Sequence, residues 1–196
     1  MKKSTISSAV ALIMGTAASY GAQASLASNA VLSMDLGVKY CVIGGTFPNC
    51  VHNVSNVTSG SFFGMDTNNN GLTGGEKTAI ESLNGIAIGT TQPAIDIDKT
   101  WIFFCNPGNH QSTSNVNILS DDGAGNVTLD FSGWNVTWNM IPSIPMGAGA
   151  SNGIATMTCA ASCSVGDTYV LDYLATVPAG DPSGFGNVDY TLHLQG

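Results

Sequence analysis

The most regular stretches of the chain alternate apolar and polar residues with a period of two. This alternation runs over residues 127–131 and, with the opposite parity, over residues 134–140, and Gly133 stands where the parity changes. A change of parity at a glycine predicts a β-bulge or a tight bend. The same period covers residues 169–177 and 188–194, which predicts half-buried antiparallel strands.

Weaker patterns predict shorter elements between these strands. Further strands are predicted over residues 38–43, 51–58, 86–88 and 101–105. The last of these is apolar on both faces, which is typical of a buried strand. Ile80 and Leu83 have helical spacing within residues 76–83, and Asn84-Gly85 follows as a stop signal. This predicts one short helix of about two turns.

Turn signals separate the predicted strands at intervals of roughly ten residues. The pattern predicts an all-β fold, namely an antiparallel β-sandwich of the jelly-roll type with the short helix after a loop at residues 66–75. No repeat or shift in composition divides residues 25–196, so we expect one domain there.

The first 24 residues have the organisation of a secretory signal peptide. Lys2 and Lys3 precede a short apolar stretch at residues 9–14, and residues 22–24 (AQA) form an A-x-A cleavage site. Cleavage there leaves residues 25–196 as the mature chain. We therefore expect export to the cell surface or the extracellular space of a bacterium.

Composition and charge exclude several classes of function. Of the 196 residues only 9% are charged, none is arginine, and the net charge is −8. Loss of Lys2 and Lys3 on cleavage changes this net charge to −10. Nucleic acid binding is excluded because almost no cations remain to neutralise phosphates. The mature chain has no apolar run of about 18 residues, so we expect no transmembrane segment in it.

All five cysteines lie in the mature chain, and export makes disulfides their expected state. Short connecting loops favour the pairs Cys41–Cys50 and Cys159–Cys163, and the partner of Cys105 stays open. A metal site is the alternative, but histidine and cysteine do not occur at the spacing of a zinc site.

One loop carries the pattern of a calcium site. Residues 66–71 read D-x-N-x-N-G, the first half of an EF-hand-type loop, in which oxygen atoms converge on a hard cation. The expected ligands are Asp66, Asn68, Asn70, the carbonyl of Leu72, and Glu76. Because the acidic residue stands one place early and carboxylates are few, a weak Ca²⁺ affinity of about 10⁻⁴–10⁻³ M is predicted. The alternative is an Asn/Gly turn whose side chains cap their own backbone.

Two tryptophans admit either a binding role or a structural one. Trp134 and Trp138 share one strand face about 13 Å apart. Exposed indoles there would stack on sugar rings, whereas buried indoles would belong to the core. Their neighbours Val136 and Met140 on the same face favour the core.

The order of residues reveals no catalytic constellation. The three histidines lie far apart, with no cysteine or acid at a useful spacing, and Asp96 and Asp98 are expected to be solvated. No nucleophile elbow, metalloprotease motif or phosphate-binding loop occurs. We therefore expect a non-enzymatic protein.

Several short stretches together resemble a family of exported bacterial proteins. They are residues 64–68 (GMDTN), 119–127 (LSDDGAGNV), 129–136 (LDFSGWNV), 141–147 (IPSIPMG) and 166–169 (GDTY). In combination they resemble the secreted part of exosortase substrates, the PEP-CTERM type, over most of the mature chain. The resemblance implies export, handling at the membrane and a place in the polysaccharide or biofilm matrix, and it implies no catalytic residues. The family's C-terminal sorting tail does not follow Gly196 in this sequence.

The sequence thus predicts an exported, non-enzymatic protein of the cell surface or extracellular matrix. Its expected partners are extracellular polysaccharide or other surface proteins, and the oligomeric state stays open. The alternative is a calcium-stabilised carbohydrate-binding module that uses Trp134 and Trp138.

Overall fold

The computed structural model describes residues 25–41, 55–148 and 153–196. Regular structure in these ranges is β-strand, apart from two single-turn 3-10 helices, Gly74–Glu76 and Met146–Ala148, and no helix there is long and apolar enough to cross a membrane. The strands are β1 (Val31–Leu32), β2 (Val38–Cys41), β3 (Ser55–Ser59), β4 (Phe62–Asp66), β5 (Lys77–Ala79), β6 (Ile86–Ala87), β7 (Trp101–Phe103), β8 (Asn106–Ser112), β9 (Ile118–Asp121), β10 (Asn126–Asp130), β11 (Trp134–Trp138), β12 (Ile141–Ile144), β13 (Ile154–Cys159), β14 (Tyr169–Thr176) and β15 (Asp189–Gln195). The all-β prediction is confirmed. The predicted signal peptide lies outside the described residues.

The strands form two larger antiparallel sheets and two short antiparallel pairs. Seven strands follow the order β5-β4-β15-β14-β13-β10-β9, and four follow the order β12-β11-β8-β7. The short pairs are β1–β6 and β2–β3. The two larger sheets face each other across one hydrophobic core, which makes the fold sandwich-like.

The alternating apolar and polar residues of the sequence lie on opposite faces of the seven-stranded sheet. Along β14 the residues Tyr169, Leu171, Tyr173 and Ala175 are buried, and the residues between them are exposed. β15 repeats the pattern with its inward residues buried. The half-buried antiparallel strands predicted from period two are therefore confirmed.

Aromatic side chains fill the space between the sheets. Phe63 of β4 packs against Trp101 of β7 with ring centroids 4.4 Å apart. Trp134 of β11 stacks on Phe131 at 4.7 Å, and its indole N–H lies 3.4 Å from the hydroxyl of Tyr190 in β15. Burial of such large side chains is the main force that holds two sheets face to face.

Gly133 marks the point where the chain leaves one sheet for the other. β10 pairs with β13 and β9, whereas β11 pairs with β8 and β12. The backbone N–H of Trp134 closes the bend by donating to the carbonyl of Phe131 at 2.8 Å. A Cβ atom at Gly133 would collide with the backbone nitrogen of Ser114. The predicted bend is confirmed, and parity changes because the inward direction reverses between the facing sheets.

Two predicted elements differ in the structure. The predicted short helix is wrong, because a 3-10 turn leads directly into β5, where Lys77 pairs with Gly64 of β4. A two-turn helix is marginal in water, and sheet pairing satisfies backbone groups that such a helix leaves open. The strand predicted at residues 101–105 ends at Phe103, and Ile102 is 43% exposed, so this strand is buried on one face only.

Candidate functional site

The predicted calcium loop connects two paired strands of the seven-stranded sheet. It begins at Asp66, the last residue of β4, and ends at Glu76, directly before β5. The hairpin therefore brings Asn68 and Asn70 to the same end of the sheet as the two carboxylates. Leu72 is half-buried in this loop.

The oxygen atoms of the loop accept hydrogen bonds from its own backbone. The Asp66 carboxylate accepts from the backbone N–H groups of Asn70, at 3.2 Å, and Gly71, at 2.9 Å. Asn68 Oδ1 also accepts from the Asn70 N–H at 3.2 Å. These contacts are those of a self-capping Asn/Gly turn, the alternative that the sequence left open.

Glu76 closes the other end of the loop. Its carboxylate accepts from the backbone N–H and the hydroxyl of Thr73, both at 2.9 Å, and from the backbone N–H of Thr67 at 3.2 Å. The hydrogen bonds from Thr73 stabilise the charged form and lower the pKa of Glu76. The negative charge of Asp66 acts on this pKa in the opposite direction, so the two carboxylates lie near enough to interact.

A further carboxylate faces Asp66 across the sheet. Asp189 of β15 lies directly opposite Asp66 in the strand register, and its Oδ1 accepts from the Thr176 hydroxyl at 2.9 Å. Sequence reasoning missed this pairing because the two aspartates lie far apart in the chain. In the ranges that the structure describes, no three His, Cys, Asp or Glu side chains are grouped closely enough to hold a metal ion. A calcium ion here would thus depend on amide and carbonyl oxygens as well as on carboxylates.

Both candidate tryptophans are buried. Trp134 is 1% exposed and lies between the rings of Phe131 and His110. Trp138 is 9% exposed, and its indole N–H donates to the carbonyl of Phe103 at 2.9 Å. Neither indole presents a face on which a sugar ring could stack, so the core role that the sequence favoured applies, and the alternative of an exposed binding platform does not.

The predicted disulfide Cys159–Cys163 is present at the end of β13. The backbone N–H of Cys159 donates to the carbonyl of Gly125 at 2.8 Å, so the bridged loop is attached to the turn before β10. Cys50 lies outside the described residues, and the pair Cys41–Cys50 stays a prediction. Cys105 lies in the turn between β7 and β8.

A polar chain that the sequence did not indicate crosses the core between the sheets. His110 of β8 places Nδ1 2.6 Å from Asp98 Oδ2 and Nε2 2.8 Å from the hydroxyl of Tyr190. Asp98 also accepts from the backbone N–H of His110 and from the indole N–H of Trp101, both at 3.1 Å. Asp98 is fully buried, so the expectation that it is solvated is wrong. No local signal in the sequence indicated the contact with His110, because that residue lies twelve positions away, on β8.

The order carboxylate, imidazole, hydroxyl is that of a catalytic triad, but here the three groups are buried in the core. A carboxylate that accepts from Nδ1 of an imidazole fixes its tautomer and leaves Nε2 as an acceptor for a hydroxyl. Here that hydroxyl belongs to Tyr190, and burial raises its pKa, so it stays protonated and donates to His110. Asp98, His110 and Tyr190 are at most 2% exposed. The three groups satisfy one another and link the two sheets through the core.

A second Asp–His pair lies on the outer face of the seven-stranded sheet. His193 Nδ1 lies 2.7 Å from Asp172 Oδ1, and its ring stacks on Phe62 with centroids 5.0 Å apart. The Lys77 ammonium sits 4.4 Å from the centre of the Phe62 ring. These side chains form a row across β5, β4, β15 and β14. The row continues into Thr156 of β13, which lies opposite Asp172.

Fold and contacts together define an all-β, sandwich-like protein with a disulfide, a self-capped acidic loop and a buried polar link between its sheets. Comparisons with protein-family models, curated proteins and solved structures give no match. Inference about function therefore rests on the chain's own residues.

Proposed function

We propose that this chain is an exported, non-enzymatic β-sandwich protein of the bacterial cell surface or extracellular matrix. The observation that carries the proposal is the Cys159–Cys163 disulfide, because such bridges persist in oxidising compartments outside the cytosol. The signal-peptide pattern of residues 1–24 and the resemblance to exosortase substrates support the same compartment. We also propose that the strands of this sandwich are connected as in a jelly roll.

Export is tested by expressing the full chain in a bacterium and separating the cell fractions. We expect the protein in the exported fraction, with Ser25 as its first residue and with Cys159 joined to Cys163 in peptide mass spectra. An Ala24→Asp variant, which blocks the A-x-A site, should keep its leader. A full-length chain that stays in the cytosol with Met1 in place would contradict the proposal.

The outer face of the seven-stranded sheet, where polar side chains lie beside the exposed Val170 and Leu174, is the surface that we propose for contact with matrix polysaccharide. Threonines 156, 158, 176 and 191 lie on this face beside Asp172 and His193. Hydroxyl, amide and carboxylate groups at strand spacing suit the hydroxyls of a neutral glycan. The net charge of the mature chain, −10 after loss of Lys2 and Lys3, opposes binding of acidic polymers at low salt.

Co-sedimentation tests this surface directly. The mature chain should pellet with insoluble cellulose, a neutral glycan, and not with cross-linked carboxymethyl cellulose, an insoluble anionic one. A Thr156→Lys/Thr191→Lys variant should lose pelleting, whereas Ser164→Lys, on the exposed disulfide loop, should keep it. Equal pelleting of the two variants would exclude the sheet face.

The alternative function, a calcium-stabilised carbohydrate-binding module, is favoured by one observation. The like charges of Asp66 and Asp189 face each other across β4 and β15, and a divalent cation would relieve their repulsion. Calorimetry at millimolar calcium should then give a saturable heat that Asp66→Ala abolishes and Asp130→Ala, on another strand, leaves unchanged. Absence of heat in the parent chain would favour the self-capping turn.

A further inference from the structure

The open end of the sandwich next to β7 and β11 holds a small apolar cavity of about 30 Å³. Its lining includes Phe63, Trp101, Trp138, Met146, Ser183 and Phe185. Among the described residues, those that line it carry no charge. An uncharged, apolar occupant is the one that such a lining accommodates without a desolvation penalty.

The ring of Phe185 closes this cavity from a loop rather than from a strand. Its centroid lies 5.5 Å from the ring of Trp138 and 5.6 Å from the rings of Phe103 and Phe104. A phenyl group therefore already occupies the mouth of the cavity. The ring of Phe185 therefore indicates the size and the chemistry of a group that fits the mouth.

The loop at residues 178–187 makes its hydrogen bonds with its own hairpin. The Asp181 N–H donates to the carbonyl of Pro178, and the Ser183 N–H donates to Oδ1 of Asp181. The Asn187 N–H donates to the carbonyl of Val177, where β14 has just ended. Because these hydrogen bonds lie within the loop and its hairpin, the loop can move as a unit and withdraw Phe185 from the mouth without breaking them.

Phe104, whose ring packs against Phe185 at the rim of the mouth, is an apolar residue with positive φ. Two hairpin tips lie side by side there, Phe104-Cys105 between β7 and β8 and Asn139-Met140 between β11 and β12. All four residues have positive φ, between 46° and 64°, where two-residue hairpins prefer Asn-Gly. Phe104 is 44% and Met140 97% exposed. Backbone strain kept together with exposed apolar surface is typical of a binding region.

From these observations we propose that the mouth is a binding site for an uncharged ligand with a compact apolar group of phenyl size, gated by the loop at residues 178–187. The ligand's apolar group takes the place of the Phe185 ring against Trp138, and Phe104, which packs against Phe185, contacts the part that remains outside. This site goes beyond the proposed matrix function and lies at an end of the sandwich, away from the outer sheet face.

The test uses 4-bromobenzyl alcohol, whose bromine quenches the fluorescence of a neighbouring indole. We expect saturable quenching in the parent chain, while the amides of Asn187 and Val188 keep their slow hydrogen exchange because the loop moves with its hydrogen bonds intact. Phe185→Ala removes the competing ring and should tighten binding at least about tenfold, because the competent state is then no longer the minor one. Phe185→Leu, a milder change, should give an intermediate affinity.

Leu174→Ala is the matched control, because it removes an exposed apolar side chain from the outer sheet face. It should bind the probe like the parent chain. Binding by Phe185→Ala alone, with no quenching in the parent chain, would overturn the proposal, since the cavity would then belong to the variant only. Loss of quenching in Leu174→Ala would also overturn it by locating the probe elsewhere.

Discussion

At the scale of single residues, the part of the chain that the structure describes contains two Asp–His pairs in opposite environments. Asp98 and His110 are buried in the core, whereas Asp172 and His193 lie on the outer sheet face. Asp98 has three donors directed at its two oxygens, so its removal leaves buried donors without an acceptor. The outer pair can exchange its contact for water.

Asp98→Asn should therefore destabilise the fold by about 3 kcal/mol, because the amide offers one acceptor fewer and turns its NH₂ group toward a donor. Asp172→Asn is the matched substitution and should cost under about 1 kcal/mol. Urea unfolding followed by tryptophan fluorescence measures both. Equal losses would mean that the buried chain does not link the sheets.

The acidic loop has its own pH dependence. The pKa of Glu76 lies below its usual value of about 4.5, since Thr73 and Thr67 donate to the charged form. For a lowered carboxyl pKa the stabilising contribution is fully present above pH 4.5 and is lost as the pH falls through the folded-state pKa. Amide chemical shifts of Thr73 should thus hold between pH 7 and pH 4.5 and move only below that range. In Glu76→Gln they should not titrate there.

Residue-scale prediction from sequence succeeded where the signal was local. Cys159 and Cys163 close a short loop, and their pairing could be predicted from spacing alone. The link between Asp98 and His110 could not, because the two stand on different segments and only strand register brings them together.

At the scale of elements, the bend at Gly133 decides which sheet receives β11. Gly133→Ala would drive a methyl group into the backbone nitrogen of Ser114, which side-chain motion cannot relieve. We expect a loss of about 1–3 kcal/mol in the free energy of unfolding. Ser132→Ala, one residue earlier and exposed, should change it by less than about 0.5 kcal/mol. A tolerated alanine at Gly133 would contradict the reported close approach.

The disulfide loop gives a second prediction at this scale. Removing a bridge across so short a loop should cost about 2 kcal/mol, since little loop entropy is restored to the unfolded chain. The Cys159→Ser/Cys163→Ser variant should therefore fold and unfold at lower urea. Under reducing conditions, which open every disulfide of both chains, the parent protein and the variant should unfold at the same urea concentration. A markedly larger loss would indicate that the turn at Gly125 depends on the bridge.

Element prediction worked for strands with long alternation and failed near the acidic loop. The period-two pattern predicted β10, β14 and β15 because each of these strands has one buried face. β11 was predicted from the same alternation, although Asn135 on its other face is buried as well. The spacing of Ile80 and Leu83 looked helical, but Ile80 is buried by following β5 into the core rather than by lying on a helix. Pairing of the backbone outweighs a weak helical pattern.

At the scale of the whole molecule, the protein has few charged residues, and the outer face of its larger sheet carries a series of threonine hydroxyls. If that face binds neutral glycan through hydroxyl and amide groups, its affinity should barely change between low and high salt. Co-sedimentation at 20 mM and at about 500 mM sodium chloride measures this, and the second concentration shortens the screening length to a few ångströms. A steep loss with salt would point to an ionic contact instead.

The position of β15 in the sheet has a kinetic consequence. β15 is the last strand of the described residues and lies between β4 and β14. Residues 189–195 therefore join the two parts of the seven-stranded sheet. Pairings this distant in sequence are slow to form, and a nascent chain without residues 189–195 keeps two strand edges apart. In a chain built in this order we expect the seven-stranded sheet to form late. For the export that we propose, such a delay would suit passage through a secretion channel that accepts only extended polypeptide.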